Sequence, residues 1–152
     1  MEKPWLQHYE PQVPHSLEYP ERPLYTNLEE SARKYPDATA LIFMNHTISY
    51  AQLNALADRF AAALAQLGVR KGDRVALYLP NCPQFIIGYY SILKAGAIVV
   101  PCNPLYVARE IAHQLEDSGA ETILVLSSFY KTVKSVRAHT PLKHVIVTNI
   151  KE

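Results

Sequence analysis

Apolar residues along this chain change their spacing several times, and each spacing points to an element. The longest stripe runs through Leu53, Leu56, Ala57, Phe60, Leu64 and Leu67. It follows the 3.6-residue period of an amphipathic helix. Ser49 and Gln52 have the spacing of a capping box at its start, and Gly68 suits its end. Thr26-Asn-Leu-Glu29 has the same spacing and predicts a second capping box, at the head of a helix carrying Leu28, Ala32 and Tyr35. Between these helices, residues 40–44 and 47–50 are short runs with strand character, and they predict a hairpin that turns at Asn45-His46.

From residue 74 the pattern alternates. Residues 74–79 read as a strand, and Pro83 as the first residue of a helix that reaches Lys94 and closes at Gly96. Residues 97–100 form a short apolar strand. A helix through Ile111 and Leu115 ends near Gly119, and 122–126 is the next strand. Ser127 or Ser128 is placed to cap a helix striped by Tyr130, Val133 and Val136, and 144–148 is the last strand. Strands alternating with helices predict an α/β fold, a parallel sheet with helices on both faces. Val75 to Leu93 carries no charge and has the length of a membrane span. Pro80 and Pro83 would break a helix in its interior, so strand, turn and helix is the better reading.

The first 24 residues hold five of the eleven prolines, with Trp5, Tyr9 and Tyr19 among them and Tyr25 just beyond. Proline at this density excludes a long helix. The aromatics argue against a disordered tail. The expectation is a proline-rich extended arm, residues 1–25, lying on a surface, followed by an α/β subdomain over 26–152, in which the arm and a short β-hairpin precede the parallel sheet.

Composition narrows the function. Fifteen basic against fourteen acidic side chains leave a formal charge of +1, which argues against nucleic acid as a partner. A hydrophobic fraction of 49% excludes wholesale disorder. Charged residues make up 19%, below the usual figure of about 25%, so extra apolar surface has to be hidden. Two cysteines cannot build a disulfide framework, and a reducing compartment is the simpler setting. The start, MEKPWLQHYEP, has no apolar core of the kind a signal peptide needs.

Ligands of open parallel sheets bind at the carboxyl ends of strands, here residues 79–81, 101–104 and 126–128. Asn81 and Asn103 suit caps or loop braces. Cys82 stands at a helix start, where a thiolate is favoured, but no activating partner is near in sequence, and it reads as structural, as does Cys102. The six histidines form no metal pair. Ser127-Ser128 lacks a nucleophile elbow, and the five glycines form neither a dinucleotide fingerprint nor a P-loop. No catalytic, cofactor-binding or metal-binding residue is assigned.

A series of short segments adds what composition does not. They are Thr47-Ile-Ser-Tyr-Ala-Gln-Leu53, Gly68-Val-Arg-Lys-Gly-Asp-Arg-Val-Ala-Leu-Tyr-Leu-Pro-Asn81, Leu93-Lys-Ala-Gly-Ala-Ile-Val-Val-Pro101, Asn103-Pro-Leu-Tyr106, Glu110-Ile and Leu115-Glu-Asp-Ser-Gly-Ala120. In this order and spacing they resemble the N-terminal part of the acyl-adenylate-forming (AMP-dependent synthetase/ligase) enzymes, over roughly residues 26–148. Lys3-Pro-Trp-Leu6, Pro14-His-Ser-Leu17 and Leu79-Pro-Asn-Cys-Pro-Gln84 are similar to the bacterial long-chain fatty-acid–CoA ligases.

The resemblance implies a cytoplasmic enzyme that activates a fatty acid with ATP and Mg²⁺ as acyl-AMP and passes it to coenzyme A. Peripheral membrane contact and a homodimer stay open. The family's phosphate loop, acidic motif, ribose-binding aspartate and C-terminal lysine have no matching position here. The expectation is therefore an N-terminal structural portion of a longer ligase, inactive alone, binding no cofactor by itself, with an apolar cut surface that promotes self-association. Two alternatives remain: a ligase for another carboxylic acid, or a stand-alone, non-enzymatic α/β binding module.

Overall fold

The computed structural model describes residues 3–151, so the first two residues of the expected arm and the last of the expected subdomain lie outside the described residues. Its centre is a four-stranded sheet of β3 (Arg74–Tyr78), β4 (Ile98–Pro101), β5 (Thr122–Leu126) and β6 (His144–Thr148). The spatial order is β4-β3-β5-β6, and every pairing is parallel. All five residues of β5 are buried, as expected for an inner strand covered on both faces.

Successive side chains of a strand point to opposite faces, and the core divides accordingly. Ala76, Tyr78, Ile123 and Val125 pack with Ile111 and Leu115 of α4 (Ala108–Ser118) and Val133 and Val136 of α5 (Tyr130–Val136). Val75, Leu77, Leu124 and Leu126 pack on the other face with Leu64 of α2 (Tyr50–Gln66) and Ile92 of α3 (Pro83–Lys94). Helices cover both faces, as the alternating pattern implies. A third cluster joins Leu28 of α1 (Thr26–Lys34) to Leu53 and Ala57 of α2, beside the hairpin of β1 (Thr39–Phe43) and β2 (His46–Ser49).

Most helix signals read from the sequence are realised. Ser49 Oγ accepts from the Gln52 amide at 3.3 Å, while Gln52 Oε1 accepts from the Ser49 amide at 2.9 Å. Pro83 opens α3, where its missing N–H costs nothing. Gly119 closes α4 in the left-handed conformation at φ 64°.

Three local expectations are corrected. Thr26 is already helical, with Tyr25 as N-cap. Its hydroxyl donates to the Pro23 carbonyl at 2.7 Å, and Glu29 is drawn to Lys94 at 3.0 Å instead of closing a box. The hairpin turns at Met44-Asn45, both at positive φ, so that His46 already pairs with Phe43. Two positive-φ residues match the strand twist in a two-residue turn. Ser127 does not cap α5, because its hydroxyl donates to Asn149 Oδ1 at 2.8 Å. In the arm, a 3₁₀ turn spans Pro4–His8. Trp5, Leu17 and Tyr19 of the arm are 53%, 60% and 76% exposed. Arg22 fastens the arm's end to α1 through Glu30 and through Asn27 Oδ1 at 2.9 Å.

The uncharged stretch from Val75 to Leu93 resolves into β3, a loop and most of α3. Among the described residues no helix is long and apolar enough to cross a membrane.

Candidate functional site

The two strands at the sheet's centre send their chains in opposite directions. After β3 the chain enters α3 on one face, and after β5 it enters α5 on the other. The carboxyl ends of β3 and β5 are therefore a topological switch point, where a crevice opens between diverging loops. The diverging loops are residues 79–82 and 126–129, and Phe129 packs on the Tyr78 ring at a centroid distance of 4.9 Å.

Three polar side chains converge beside the crevice from distant parts of the chain. Gln84, in the first turn of α3, donates through Nε2 to the Asn149 carbonyl at 2.8 Å. Ser127, after β5, donates to Asn149 Oδ1 at 2.8 Å. The other oxygen of this group, Gln84 Oε1, is buried and has no partner among the described residues. Because Nε2 faces a carbonyl, the orientation of the amide is determined by its bonding. Sequence reading missed Gln84 and Asn149. The strand-end rule, applied to 79–81, 101–104 and 126–128, stopped short of both: Gln84 lies in the first turn of the helix that follows, and Asn149 follows the end of β6, which was not among them.

The residues singled out from sequence fall into place around this site. Asn81 is exposed. Cys82 is the buried N-cap of α3. Asn103 braces its loop: its Oδ1 accepts from the Leu105 amide at 3.0 Å. The Tyr78 hydroxyl donates to the Tyr106 carbonyl at 2.5 Å and holds that loop over the end of β3. Burial, with smaller contributions from Cys102 and Glu110, raises the Tyr78 phenol above its ordinary value. Burial pushes the Cys102 thiol up to about 12, which opposes a thiolate role. Among the described residues no group of three or more His, Cys, Asp or Glu could hold a metal ion.

A triphosphate needs a loop of backbone amides with glycine at the carboxyl end of a strand. Here Gly68, Gly72, Gly96 and Gly119 all precede strands, at the opposite edge. Gly88 sits inside α3. The residues present do not fit a phosphate cradle, and no nucleotide step is assigned to them. A polar cavity of about 280 Å³ at the amino edge is also accounted for by structure. There Arg74 donates to the Ser118 and Gly119 carbonyls at 2.8 and 3.1 Å and satisfies the end of α4. Lys143 pairs with Glu121 at 2.7 Å.

An apolar trough lies on the α2–α3 face, between those helices and β6. Leu56, Phe60, Ile87 and Ile146 line a volume of about 410 Å³. Through Leu56, Gln84 and Ile87 it runs on into a second hollow of about 590 Å³ beside the hairpin, bordered by Ile150 and Lys151.

Comparison with known proteins adds family information to this geometry. Residues 28–151 match the family of AMP-binding enzymes. A long-chain-fatty-acid–CoA ligase of Bacillus subtilis is 37% identical over 99% of this chain and 27% of its own length. One of Yersinia pestis is 43% identical over 99% of this chain and 27% of its own length. The chain thus spans about a quarter of the curated relatives it matches. Among solved structures, a long-chain-fatty-acid-CoA ligase from Archaeoglobus fulgidus superposes with a TM-score of 0.80 at 28% identity, covering 88% of this chain and 28% of that one.

Proposed function

The chain belongs to the AMP-binding enzyme family, and on that premise we propose that it forms the N-terminal α/β layer of an ATP-dependent long-chain fatty-acid–CoA ligase. The observation that carries the reading is the extent of the match. Relatives bearing that name align over 99% of the chain, which takes in the proline-rich arm as well as the part matched by the family at 28–151. An arm shared with one branch distinguishes it from relatives that share only the scaffold.

The implied activity has two stages. A fatty-acid carboxylate displaces pyrophosphate from the α-phosphorus of ATP, and the thiol of coenzyme A then displaces AMP from the acyl-adenylate. Mg²⁺ would offset phosphate charge in such a reaction. The chain's own contribution is architectural: a covered parallel sheet, a switch-point crevice and the apolar trough. The reading divides the chain into an arm, 1–25, and a subdomain, 26–152, within an enzyme of the cytoplasm, where ATP and coenzyme A are available.

The test is palmitate-dependent ATP–pyrophosphate exchange. It is measured with the 152-residue chain and with a chimera in which these residues replace the matched quarter of the Bacillus subtilis ligase. The expected result is exchange by the chimera and none by the chain alone. Exchange by the chain alone would refute the architectural role. Preference of the chimera for aromatic or short acids would refute the long-chain assignment.

A further inference from the structure

Charge is divided unevenly along the chain. Residues 122–151 hold five Lys and Arg side chains and no Asp or Glu, whereas residues 1–121 hold ten basic against thirteen acidic. The overall charge of +1 conceals this basic stretch. The fold shows which of its cations share a surface.

Helix α5 buries Val133 and Val136 against the sheet. At 3.6 residues per turn, Lys131 and Lys134 then stand on its outward side, and both are exposed. Arg137, in the 3₁₀ turn that follows, is exposed as well, and its Nη2 donates to the Lys143 carbonyl at 2.7 Å. That bond neutralises no charge. Lys131, Lys134 and Arg137 make no ion pair among the described residues, while Lys143 is paired with Glu121. Lys151 lies apart, beside the hairpin. The neighbouring α4 bears Arg109 and His113 against Glu110, Glu116 and Asp117, so the positive face is confined to α5 and the turn after it. Tyr130, at the head of α5, is partly exposed. Like charges three residues apart on a helix repel. No side chain of the fold offsets the repulsion between Lys131 and Lys134, which points to an anionic partner outside it.

The ligase reading selects that partner. A long acyl tail leaves water for a bilayer, gaining with every methylene buried, so the substrate of such an enzyme is held at a membrane. The cytoplasmic leaflet is negatively charged and attracts Lys and Arg within a Debye length. Tyrosine favours the same interface. Nucleic-acid sites neutralise more phosphates than three cations reach.

We propose that the outward face of α5, formed by Lys131, Lys134 and Arg137 with Tyr130 beside them, is a docking surface for an anionic lipid bilayer. The inference rests on the ligase reading and adds a partner to it. Each cation near such a surface strengthens binding about fivefold, so three give on the order of 100-fold over a neutral bilayer. Attachment of that strength is reversible.

The test sediments the 152-residue chain with vesicles of phosphatidylglycerol and phosphatidylcholine in equal parts, and with vesicles of phosphatidylcholine alone. The expected result is preference for the anionic vesicles, weakening as salt is raised. Lys131→Gln combined with Lys134→Gln should weaken that binding about 25-fold. Arg33→Gln combined with Lys34→Gln removes the same charge from exposed residues of α1 and should change it less than about twofold. Equal binding to both kinds of vesicle would overturn the proposal, since it marks apolar insertion. So would an equal loss in the α1 variant, which marks net charge without a site. Tighter binding to duplex DNA than to vesicles, lost in the α5 variant, would reassign the face to nucleic acid. The comparison of lipids with the unaltered chain decides the outcome even where a variant does not fold.

Palmitate-dependent exchange by the Bacillus chimera is measured separately. Exchange without vesicle binding sinks the docking and keeps the ligase. Vesicle binding without exchange keeps the docking and sinks the ligase reading.

Discussion

Lys94 offers a sharp test of how the helices are held together. It ends α3 with only 6% of its side chain exposed. Its ammonium donates to Glu29 of α1 at 3.0 Å, to Asn54 Oδ1 at 2.9 Å and to Asp58 at 2.5 Å, both on α2. One cation thus links three helices. The perturbation is Lys94→Met, which keeps the apolar stem and removes the charge. Breaking a fully buried ion pair costs roughly 3–5 kcal/mol because the abandoned partner stays buried, whereas exposed pairs contribute roughly 0–1 kcal/mol.

The geometry lies between these limits. The ammonium is buried, but Glu29 and Asp58 are 47% and 54% exposed and rehydrate once it is gone. A loss of about 2 kcal/mol follows, equivalent to a fall in Tm of roughly 6 °C for a chain of this size. Urea unfolding followed by circular dichroism measures it. Asp58→Asn should cost little more in the Lys94→Met background, since the two changes remove the same interaction. A loss below about 0.5 kcal/mol would place the network with ordinary surface pairs. Burial pulls the Lys94 pKa down, but the bonds to Asp58 and Glu29 outweigh it and the net shift is upward. The network's contribution is therefore complete below pH 10.5 and declines as pH rises past that value.

Three further outcomes are expected. Gly88→Ala should destabilise by about 1–2 kcal/mol despite alanine's helix preference, because its Cβ would stand 2.9 Å from Leu124 Cδ2 and 3.0 Å from Leu77 Cδ2. A gain in Tm would contradict that packing. Ser49→Ala should cost about 1 kcal/mol through loss of the capping box, and Ser49→Asp should recover most of it; unfolding curves of the pair decide. Stability should fall between pH 9 and pH 12, because burial lifts the Cys102 thiol from 9.0 to about 12 and the unfolded chain releases that proton first. Cys102→Ala should flatten this limb in pH-dependent urea titrations, and an unchanged slope would count against a buried, neutral thiol.

The resemblance read from short segments extended to the family, but it carried no residue of the site with it. The polar group beside the crevice was legible only in part. Ser127 drew attention as a helix cap, yet it bonds to Asn149. Gln84 stood within a quoted segment without a role, and Asn149 was not considered. Gly88 looked like any glycine outside a motif, and only its approach to Leu77 and Leu124 shows that a side chain there presses on their terminal methyls.

The elements, their order and the covered parallel sheet are legible along the chain. Those follow from hydrophobic period, proline and capping residues, which act over a few residues and so can be read along the chain. Failures of detail were local competitions, such as Thr26 losing the N-cap to Tyr25 and the hairpin turning one residue early. Which side chains meet is settled by the three-dimensional packing. Gln84 and Asn149 are 65 residues apart in sequence, as are Lys94 and Glu29. Contacts of that span depend on strand order and on which face each helix takes, and the β4-β3-β5-β6 order leaves no periodic trace in the chain. Strand order made the switch point, and helix placement made the trough.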